Sequence, residues 1–322
     1  MKNITLRQLR VFEAVARHSS YTRAAGDLHL TQPAVSMQIK QLEDNVGLPL
    51  FEQIGKRIFL TEAGRELHHY SRLITQQLAE AEAVLSELKG VTRGRLNISV
   101  VSTAKHFAPY LLSIFSKRFD GATVSLNVTN RETLLRQLAS NERDMMIMGM
   151  PPKQDDIIAE PFMENPLVVI APYNHPLRQE RNIPLERLQH ETFLMREQGS
   201  GTRIAMERFF AEHNIHLIGG MEMDSSEAIK QGVQAGLGLG IVSIHTINLE
   251  IEVKRLAILD VASLPIIRQW YLVHPRDKRL SPVAQAFKEF ILNEAKGLLE
   301  GIRGGGIPAQ VSSSSKQTKG AK

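Results

Sequence analysis

The N-terminal end of the chain has apolar residues at intervals of three or four, which is the spacing of an amphipathic helix. Leu6, Leu9, Phe12 and Val15 form this series, and Thr5 stands directly before it as a predicted N-cap. We expect this helix to be a scaffold that packs against the next elements, so we assign it no ligand contact.

A pair of helices is predicted within residues 21–47. A short helix over residues 22–28 is followed by Thr31, whose hydroxyl is the predicted N-cap of a second helix. Pro33 falls in the first turn of that helix, where a missing N–H costs nothing, and Gly47 ends it. Periodicity alone fits an ordinary helical bundle as well as a helix-turn-helix.

The second helix of this pair has an apolar side and a polar side. Val35, Ile39 and Leu42 fall on one face and predict the buried side. The solvent-facing side carries Gln32, Ser36 and Lys40. Amide, hydroxyl and cationic groups on a rigid helix are what base reading in a DNA major groove requires, so this helix is a candidate recognition helix.

The pattern changes from helical to strand-like after the second helix. Runs at residues 50–54 and 57–60 flank Gly55 and Lys56, which predicts a tight hairpin with a basic tip. A hairpin of this kind beside a helix-turn-helix is a wing. Lys56 and Arg57 are therefore candidates for contacts with DNA phosphates or the minor groove.

Residues 62–89 contain no proline and repeat apolar residues every seven positions. This spacing predicts a dimerising coiled coil, and pairing of two winged domains predicts a homodimer on a near-palindromic DNA site. A long helix packed on its own chain is the alternative. The predicted interface residues are Leu67, Ile74, Leu78, Ala81, Leu85 and Leu88.

Strand and helix patterns alternate after a hinge at residues 90–94, which favours parallel α/β sheets in two lobes. Strands are predicted at 96–101, 123–128, 145–148, 167–171, 192–195, 219–223, 239–243 and 266–274, and helices at 104–119, 131–140, 203–213, 227–235 and 282–299. The predicted organisation is a winged domain (1–61), a linker helix (62–89), lobe I (90–163 and 266–300), lobe II (164–265) and a disordered tail (301–322).

Four junctions between predicted strands and helices carry polar groups, and such junctions are where open α/β sheets bind ligands. The segment 199–203 is the most informative, because its glycines let backbone approach a ligand and Arg203 is a candidate anion partner. Helix capping is the alternative for each residue taken singly. The junction residues are Ser102, Thr103, Asn130, Arg131, Gly199, Ser200, Gly201, Thr202, Arg203, Ser225 and Ser226.

Composition narrows the possible chemistry. The chain has no cysteine, which excludes disulfides, thiolate catalysis and cysteine-based zinc sites. No nucleophile elbow, dinucleotide loop or metal-ligand pattern is found, so we expect neither an enzyme nor a cofactor. A two-lobed enzyme is the rival interpretation, and it requires a catalytic constellation in the cleft.

Net charge gives little support for DNA binding, and hydropathy gives no sign of secretion or membrane insertion. The net charge of the 322-residue chain is +5, but Arg303, Lys316, Lys319 and Lys322 contribute four of these charges in the tail. Global basicity therefore says little about DNA binding, and the local pattern must carry that hypothesis. No signal-peptide pattern or run of about 20 apolar residues is present, so we expect a cytoplasmic protein without membrane contact.

Residues 6–64 resemble the winged helix-turn-helix of LysR-type transcriptional regulators. The resemblance is carried by Leu9-Arg-Val-Phe, Ala24-Ala25, Leu30-Thr-Gln-Pro-Ala-Val-Ser36, Leu50-Phe51 and Leu60-Thr-Glu-Ala-Gly64. Met37 and Gln53 depart from the family pattern, where arginine is frequent, and Met37 is a candidate contact for a thymine methyl group. The resemblance implies a DNA-binding set of Arg23, Thr31, Gln32, Pro33, Ser36, Met37, Lys40, Lys56 and Arg57.

Several segments of the later chain are similar to one branch of that family, the regulators of carbon-fixation (RuBisCO) operons. These are residues 98–109, 130–136, 148–152, 190–197, 199–203 and 227–231, with Ala228 a small departure. The resemblance implies an effector domain similar to periplasmic binding proteins, with Gly149 added to the candidate effector site. It also implies an activator that binds a small anionic metabolite and assembles as a homodimer or as a tetramer of two dimers.

Two alternatives to this function stay open at the level of sequence. The first is a LysR-type regulator of another metabolic operon. The second belongs to a different class, a cytosolic ligand-binding protein whose N-terminal domain mediates only protein contacts. A Ser36→Glu variant separates the second from a regulator, because a carboxylate that faces phosphates should be repelled.

Overall fold

The computed structural model describes residues 4–55, 57–88 and 94–302, in two compact units that meet in sequence near Val91. The predicted hinge lies almost wholly outside these ranges, as do Lys56 and nearly all of the predicted disordered tail. Each unit is described by itself.

The N-terminal unit consists of three short helices, a hairpin and a long helix. Their bounds are α1 Leu6–His18, α2 Tyr21–Asp27, α3 Gln32–Val46, β1 Phe51–Ile54, β2 Arg57–Leu60 and α4 Glu62–Leu88. Thr5 and Gln8 form a reciprocal capping box at the start of α1, as the sequence predicted for Thr5. Gly47 ends α3 with φ +78, a conformation that glycine adopts without strain.

One apolar core holds the three short helices together. Phe12, Val35, Ile39, Leu42 and Leu50 are all fully buried in it. The hairpin pairs in antiparallel register and contacts the same core through β1, so its position relative to α3 is fixed. The predicted helix-turn-helix with a wing is therefore present.

The predicted dimer-interface residues on α4 fall into two groups. Some pack against their own chain, and others are exposed to solvent. Leu67 packs partly buried on the core of its own winged domain, as in the alternative of a helix packed on its own chain. Leu78 is partly buried, whereas Ile74 and Ala81 are exposed. The side chains of Leu85 and Leu88 lie outside the described residues.

The C-terminal unit alternates strands and helices through most of its length. Its elements are β3 Gly94–Val101, α5 Ala108–Arg118, β4 Ala122–Thr129, α6 Arg131–Ala139, β5 Met145–Met148, β6 Ile157–Glu164, β7 Leu167–Pro172, β8 Thr192–Arg196, α7 Gly201–Glu212, β9 Ile218–Met223, α8 Ser226–Gln234, β10 Leu239–Ser243, α9 Asn248–Glu252, β11 Leu256–Ile258, β12 Gln269–Pro275 and α10 Pro282–Ile302. Short 3-10 turns join several of them.

The strands form two five-stranded sheets, one in each lobe. The order is β4-β3-β5-β12-β6 in lobe I and β11-β7-β10-β8-β9 in lobe II. Both sheets are mixed, because β12 runs antiparallel to β5 and β6, and β7 runs antiparallel to β10 and β11. The expectation of purely parallel sheets is wrong for these strands, and the sequence reading also missed β6 and β11.

The chain crosses between the lobes twice. The first crossing lies between β6 and β7, and the second precedes β12. Leu167 and Ile266 exchange two backbone hydrogen bonds, and the Asn165 N–H donates to the carbonyl oxygen of Arg268 at 2.7 Å. The two crossing segments therefore form a short paired hinge. After the second crossing, α10 returns to the core of lobe I, as predicted.

Candidate DNA-reading surface and ligand pocket

The polar side of α3 faces solvent while its apolar side is anchored in the core. Gln32 and Lys40 are exposed, and Ser36 is half-buried. Gln32 Nε2 donates to Ser36 Oγ at 2.9 Å, which fixes the amide and leaves its oxygen and second N–H pointing outward. Met37 is 55% exposed on the neighbouring strip of the helix. These side chains form the reading surface, defined as Gln32, Ser36, Met37 and Lys40.

The start of α3 differs from the predicted capping. Thr31 occupies the N-cap position with an extended backbone, but its side chain makes no capping hydrogen bond. The expected hydroxyl cap is therefore wrong, and the exposed hydroxyl is available to a ligand. Pro33 lies in the first turn, as predicted.

The other predicted DNA contacts lie on α2 and the wing. Arg23 is exposed on α2, next to the buried alanines that pack this helix. Arg57 is exposed at the start of β2, where the hairpin turn ends. Lys56 falls outside the described residues. Both described arginines carry a cation that is free of burial, as phosphate contact requires.

A pocket lies between the two lobes of the C-terminal unit. Its volume is about 40 Å³. It is lined by residues that follow β3 and β5, by the start of α6, by the end of β8 and the loop into α7, and by the hinge. The lining residues are Val101, Ser102, Thr103, Arg131, Met148, Gly149, Met150, Asn165, Arg196, Glu197, Ser200, Gly201, Thr202, Arg268 and Trp270.

Two of the three arginines in the pocket have no acidic partner among the described residues. Arg196 is neutralised, because its Nε and Nη2 donate to the Glu197 carboxylate at 2.6 and 2.8 Å. Arg131 donates only to the Met150 carbonyl at 3.3 Å, and Arg268 donates only to backbone carbonyls. The pocket therefore has an excess of positive charge, which favours an anion.

The pKa of Arg268 reflects the unfavourable environment of its positive charge. Burial, reinforced by the nearby positive charge of Arg131, lowers the pKa of Arg268 to about 10. The guanidinium thus remains charged at neutral pH, yet it is held where a charge is costly. Burial also lowers the pKa of Arg131. A bound anion would relieve both groups.

Three buried polar atoms of pocket-lining residues have no hydrogen-bond partner among the residues that the structure describes. They are Arg131 Nε, Asn165 Oδ1 and Trp270 Nε1. Two are donors and one is an acceptor. Because buried polar groups in folded proteins are rarely left unpaired, these atoms offer two donors and one acceptor to a water or a ligand in the pocket.

The structure brings together seven of the twelve predicted effector residues. Those in the pocket are Ser102, Thr103, Arg131, Gly149, Ser200, Gly201 and Thr202. Gly199 does not line the pocket and takes φ +77 in the loop before α7. The remaining four residues, treated next, have structural roles instead.

Asn130 and Ser225 cap helices. Asn130 Oδ1 accepts from the Thr133 N–H at 2.9 Å, and Ser225 Oγ accepts from the Ala228 N–H at 3.2 Å. Capping was the alternative stated for these residues, and it is the role that the structure gives them.

Ser226 and Arg203 support the pocket wall from behind. Ser226 Oγ accepts from Arg196 Nη1 at 2.8 Å, so it positions that arginine. Arg203 pairs with Glu222 at 2.5 Å and with Glu207 at 2.8 Å, and it donates to the Arg196 carbonyl. The expectation that Arg203 faces the anion is wrong, because two carboxylates already hold its guanidinium.

Sequence reasoning missed Asn165, Arg196, Glu197, Arg268 and Trp270. Asn165 and Arg268 lie in the hinge and not at a strand-to-helix junction, so the rule that located the other residues did not apply. The available signal was Arg268 itself, a cation within a strand-like apolar run that includes Ile266, Ile267 and Trp270. A charge placed in such a run calls for a functional explanation.

Models of known protein families match both the part of the chain that holds the reading surface and the part that holds the pocket. Residues 6–65 match the model of the bacterial regulatory helix-turn-helix protein, lysR family, and residues 89–296 match the LysR substrate binding domain. The chain belongs to the LysR family. Together the two matches cover the reading surface and the pocket, so the protein is a LysR-type DNA-binding transcriptional regulator with an effector-binding domain.

Relatives of this LysR regulator include proteins with names that describe their function. The RuBisCO operon transcriptional regulator of Allochromatium vinosum is 60% identical over 91% of this chain and 97% of its own length. The HTH-type transcriptional activator CmpR of Synechocystis sp. is 46% identical over 90% of this chain and 96% of its own. The rival class of a protein-binding N-terminal domain is thereby set aside.

A solved structure resembles the effector-binding part of this LysR regulator. It is the regulatory domain of CcmR from Synechocystis PCC6803 in complex with 2-PG, with a TM-score of 0.61 and 41% identity. The match covers 64% of this chain and 99% of that domain. Among the described residues, no helix is both long and apolar enough to cross a membrane.

Proposed function

We propose that this LysR regulator is a metabolite-responsive activator of carbon-fixation (RuBisCO) genes, with a small oxyanion as its effector. The pair of uncompensated arginines, Arg131 and Arg268, is the observation that carries the proposal, because two partly buried cations with no acidic partner among the described residues favour an anion. The names of the relatives from Allochromatium vinosum and Synechocystis support the target genes and the activating role.

The size and chemistry of the pocket define the class of effector. About 40 Å³ of pocket volume holds only a few non-hydrogen atoms, given that one water needs roughly 10–15 Å³ on the same measure. A phosphate or carboxylate group fits this space, and a larger metabolite requires the lobes to open. The 2-PG complex of the CcmR domain supports a small effector of this kind.

The pocket is proposed to bind its ligand without changing it. No histidine is among the residues that line the pocket, so it lacks the side chain that most often serves as an acid or base near neutral pH. Ser102, Thr103, Ser200 and Thr202 supply hydroxyls suited to hydrogen bonding with an oxyanion. We therefore propose no reaction and no cofactor.

The DNA site and the assembly follow from the N-terminal unit. Ile74 and Ala81 expose the outer part of the α4 seam, which supports pairing with a second copy. Two paired domains would place two reading surfaces on a near-palindromic site, with Arg23, Thr31, Pro33 and Arg57 near phosphates. Pairing of two dimers into a tetramer would extend the contacted DNA.

Footprinting tests this function directly. The full-length protein is incubated with DNA from upstream of a RuBisCO operon of the source organism, with and without 2-phosphoglycolate, a two-carbon acid with a phosphate and a carboxylate. We expect a protected, two-fold symmetric region whose extent changes when the acid is added. Protection that stays the same with every phosphorylated acid tested would contradict the proposed effector class, and absence of protection would contradict the target.

A further inference from the structure

Arg268 connects three separate parts of the effector domain. Its backbone lies in the hinge, where its carbonyl accepts from the Asn165 N–H at 2.7 Å. Its Nη2 donates to the Gly149 carbonyl at the end of β5 in lobe I at 2.7 Å. Its Nη1 donates to the Gly201 carbonyl at the start of α7 in lobe II at 2.8 Å. One side chain thus joins both lobes across the pocket.

We propose that Arg268 is a positioning residue that sets the angle between the lobes and transmits pocket occupancy to that angle. In the free protein the guanidinium ties Gly149 to Gly201. A bound oxyanion competes with these two carbonyls, because its full negative charge attracts the guanidinium more strongly than the partial charge of a carbonyl oxygen does. The tie then loosens and the lobes change their relative position. The steps that involve the oxyanion rest on the proposed function, whereas the link between Gly149 and Gly201 does not.

The surroundings of Arg268 favour such an exchange. Its charge has no carboxylate partner among the described residues, and burial beside Arg131 lowers its pKa, so the carbonyls leave the cation poorly compensated. Another hydrogen bond between the lobes joins His245 Nε2 and the Glu164 carbonyl at 2.9 Å, beside the hinge itself. The Arg268 side chain extends beyond the hinge to the carbonyl of Gly201, the first residue of α7 in lobe II.

Two glycines provide a matched pair of variants that keep the arginine. A Cβ on Gly149 would lie 2.9 Å from Arg268 Nη2, so Gly149→Ala displaces the guanidinium. A Cβ on Gly201 would lie 3.4 Å from the same atom, which is an ordinary contact, so Gly201→Ala leaves the guanidinium in place. Neither glycine takes a positive φ, so both backbones accept alanine.

The absence of cysteine from the chain allows the lobe angle to be measured on the full-length protein. Lys296→Cys on α10 of lobe I and Glu252→Cys on α9 of lobe II place spin labels at two exposed positions. An excess of unlabelled protein limits each assembly to one labelled chain. The distance between the labels is then recorded by pulsed electron resonance with the native pocket, Gly149→Ala, Gly201→Ala and Arg268→Gln.

The proposal predicts different outcomes for the two glycine variants. Without anion, we expect Gly149→Ala and Arg268→Gln to shift and broaden the distance distribution, and Gly201→Ala to match the native pocket. With 2-phosphoglycolate, the native distribution should shift, and Gly149→Ala and Arg268→Gln should lose this response; Gly201→Ala, which lines the pocket, serves as the control only for the anion-free distances. Native-like distances for both Gly149→Ala and Arg268→Gln without anion would overturn the proposal.

Calorimetry separates this proposal from the proposed function. If the native protein does not bind 2-phosphoglycolate, the proposed effector class fails, while the anion-free distances still support or overturn the tie by themselves. If the native protein binds the acid and Gly149→Ala responds with the full native shift, the effector class stands and the role of Arg268 is refuted.

Discussion

The reading surface and the ligand pocket present their polar groups in opposite ways. The reading surface comes from one continuous helix, exposes its polar groups and buries only the side that anchors it. The pocket draws its residues from both lobes and the hinge, and it partly buries two cations that have no acidic partner in the described parts of the chain. A duplex is met from outside and needs a rigid, solvated surface, whereas a small anion is enclosed and needs groups that stay poorly satisfied until it binds.

The largest effect on affinity is expected at the reading surface, where an added negative charge would be repelled by the DNA phosphates. Ser36→Glu places a carboxylate beside Gln32 and removes the hydroxyl that holds its amide. Loss of one good base contact costs about 1–3 kcal/mol, and repulsion by phosphates adds to it. We therefore expect DNA affinity to fall by on the order of 100-fold or more in gel-shift titrations at fixed salt.

Gln38→Glu is the matched control for this prediction. Gln38 is half-buried on the same helix, two positions after Ser36, so its side chain lies on nearly the opposite side of the helix from Ser36. The same added charge there should reduce affinity much less. Equal losses in the two variants would mean that charge alone, and not the position of the reading surface, decides DNA binding.

The reading surface was predictable because its information is local. Val35, Ile39 and Leu42 repeat at helical spacing, so the opposite side follows from geometry without knowledge of the rest of the chain. The error at Thr31 was equally local, since its backbone takes the N-cap position while its hydroxyl stays unused. Residue type gives the tendency to cap, but the side-chain rotamer decides whether the bond forms.

The next largest effect on ligand affinity is expected in the pocket. Arg131 and Arg203 were both predicted to contact the ligand, but only Arg131 lines the observed pocket. Arg131→Gln removes an uncompensated cation, and a hydrogen bond to a charged group is worth about 1.5–3 kcal/mol. The affinity for 2-phosphoglycolate should fall by roughly 10- to 100-fold in calorimetric titrations. Arg203→Gln should leave affinity within a few-fold of the native value, because Glu207 and Glu222 hold that side chain.

A reversed order of these two variants would show that Arg203 leaves its carboxylates when ligand binds. That result would restore the interpretation made from sequence, in which the arginine after a glycine-rich turn faces the anion. Similar losses for both would indicate that the net charge of the lobe, and not direct contact, attracts the ligand.

The pocket was only partly predictable because its residues depend on tertiary pairing. Residues at the end of β3 and before α7 follow from the rule for open sheets, and they were found, whereas Gly149 after β5 was predicted only through the family resemblance. Arg268 was missed because the hinge forms only when Leu167 and Ile266 pair across 99 positions of sequence. The mixed direction of the sheets has the same origin, since β12 returns to lobe I from the far end of the chain.

A smaller effect is expected at Ser225, which was predicted to contact the ligand but caps α8 in the structure. Ser225→Ala removes the cap of α8 and should cost about 1 kcal/mol, lowering the melting temperature by about 2–4 °C with unchanged affinity for the acid. Ser200→Ala, which lines the pocket without capping α7, should weaken binding and leave the melting temperature nearly unchanged. Scanning calorimetry with and without 2-phosphoglycolate measures both; a weaker affinity in Ser225→Ala would contradict the division between cap and contact.

The smallest expected effect concerns Met37, where the reading surface departs from the family pattern. A side chain that is 55% exposed on this surface offers apolar area to a thymine methyl group. One buried methyl is worth about 0.8 kcal/mol, which is about a fourfold change in affinity. Replacing single thymines by uracil in the footprinted site should therefore weaken native binding about fourfold at one position of each half-site. The Met37→Ala variant should bind the thymine and uracil sites equally there, and a native-sized preference for thymine in that variant would assign the methyl contact to another residue.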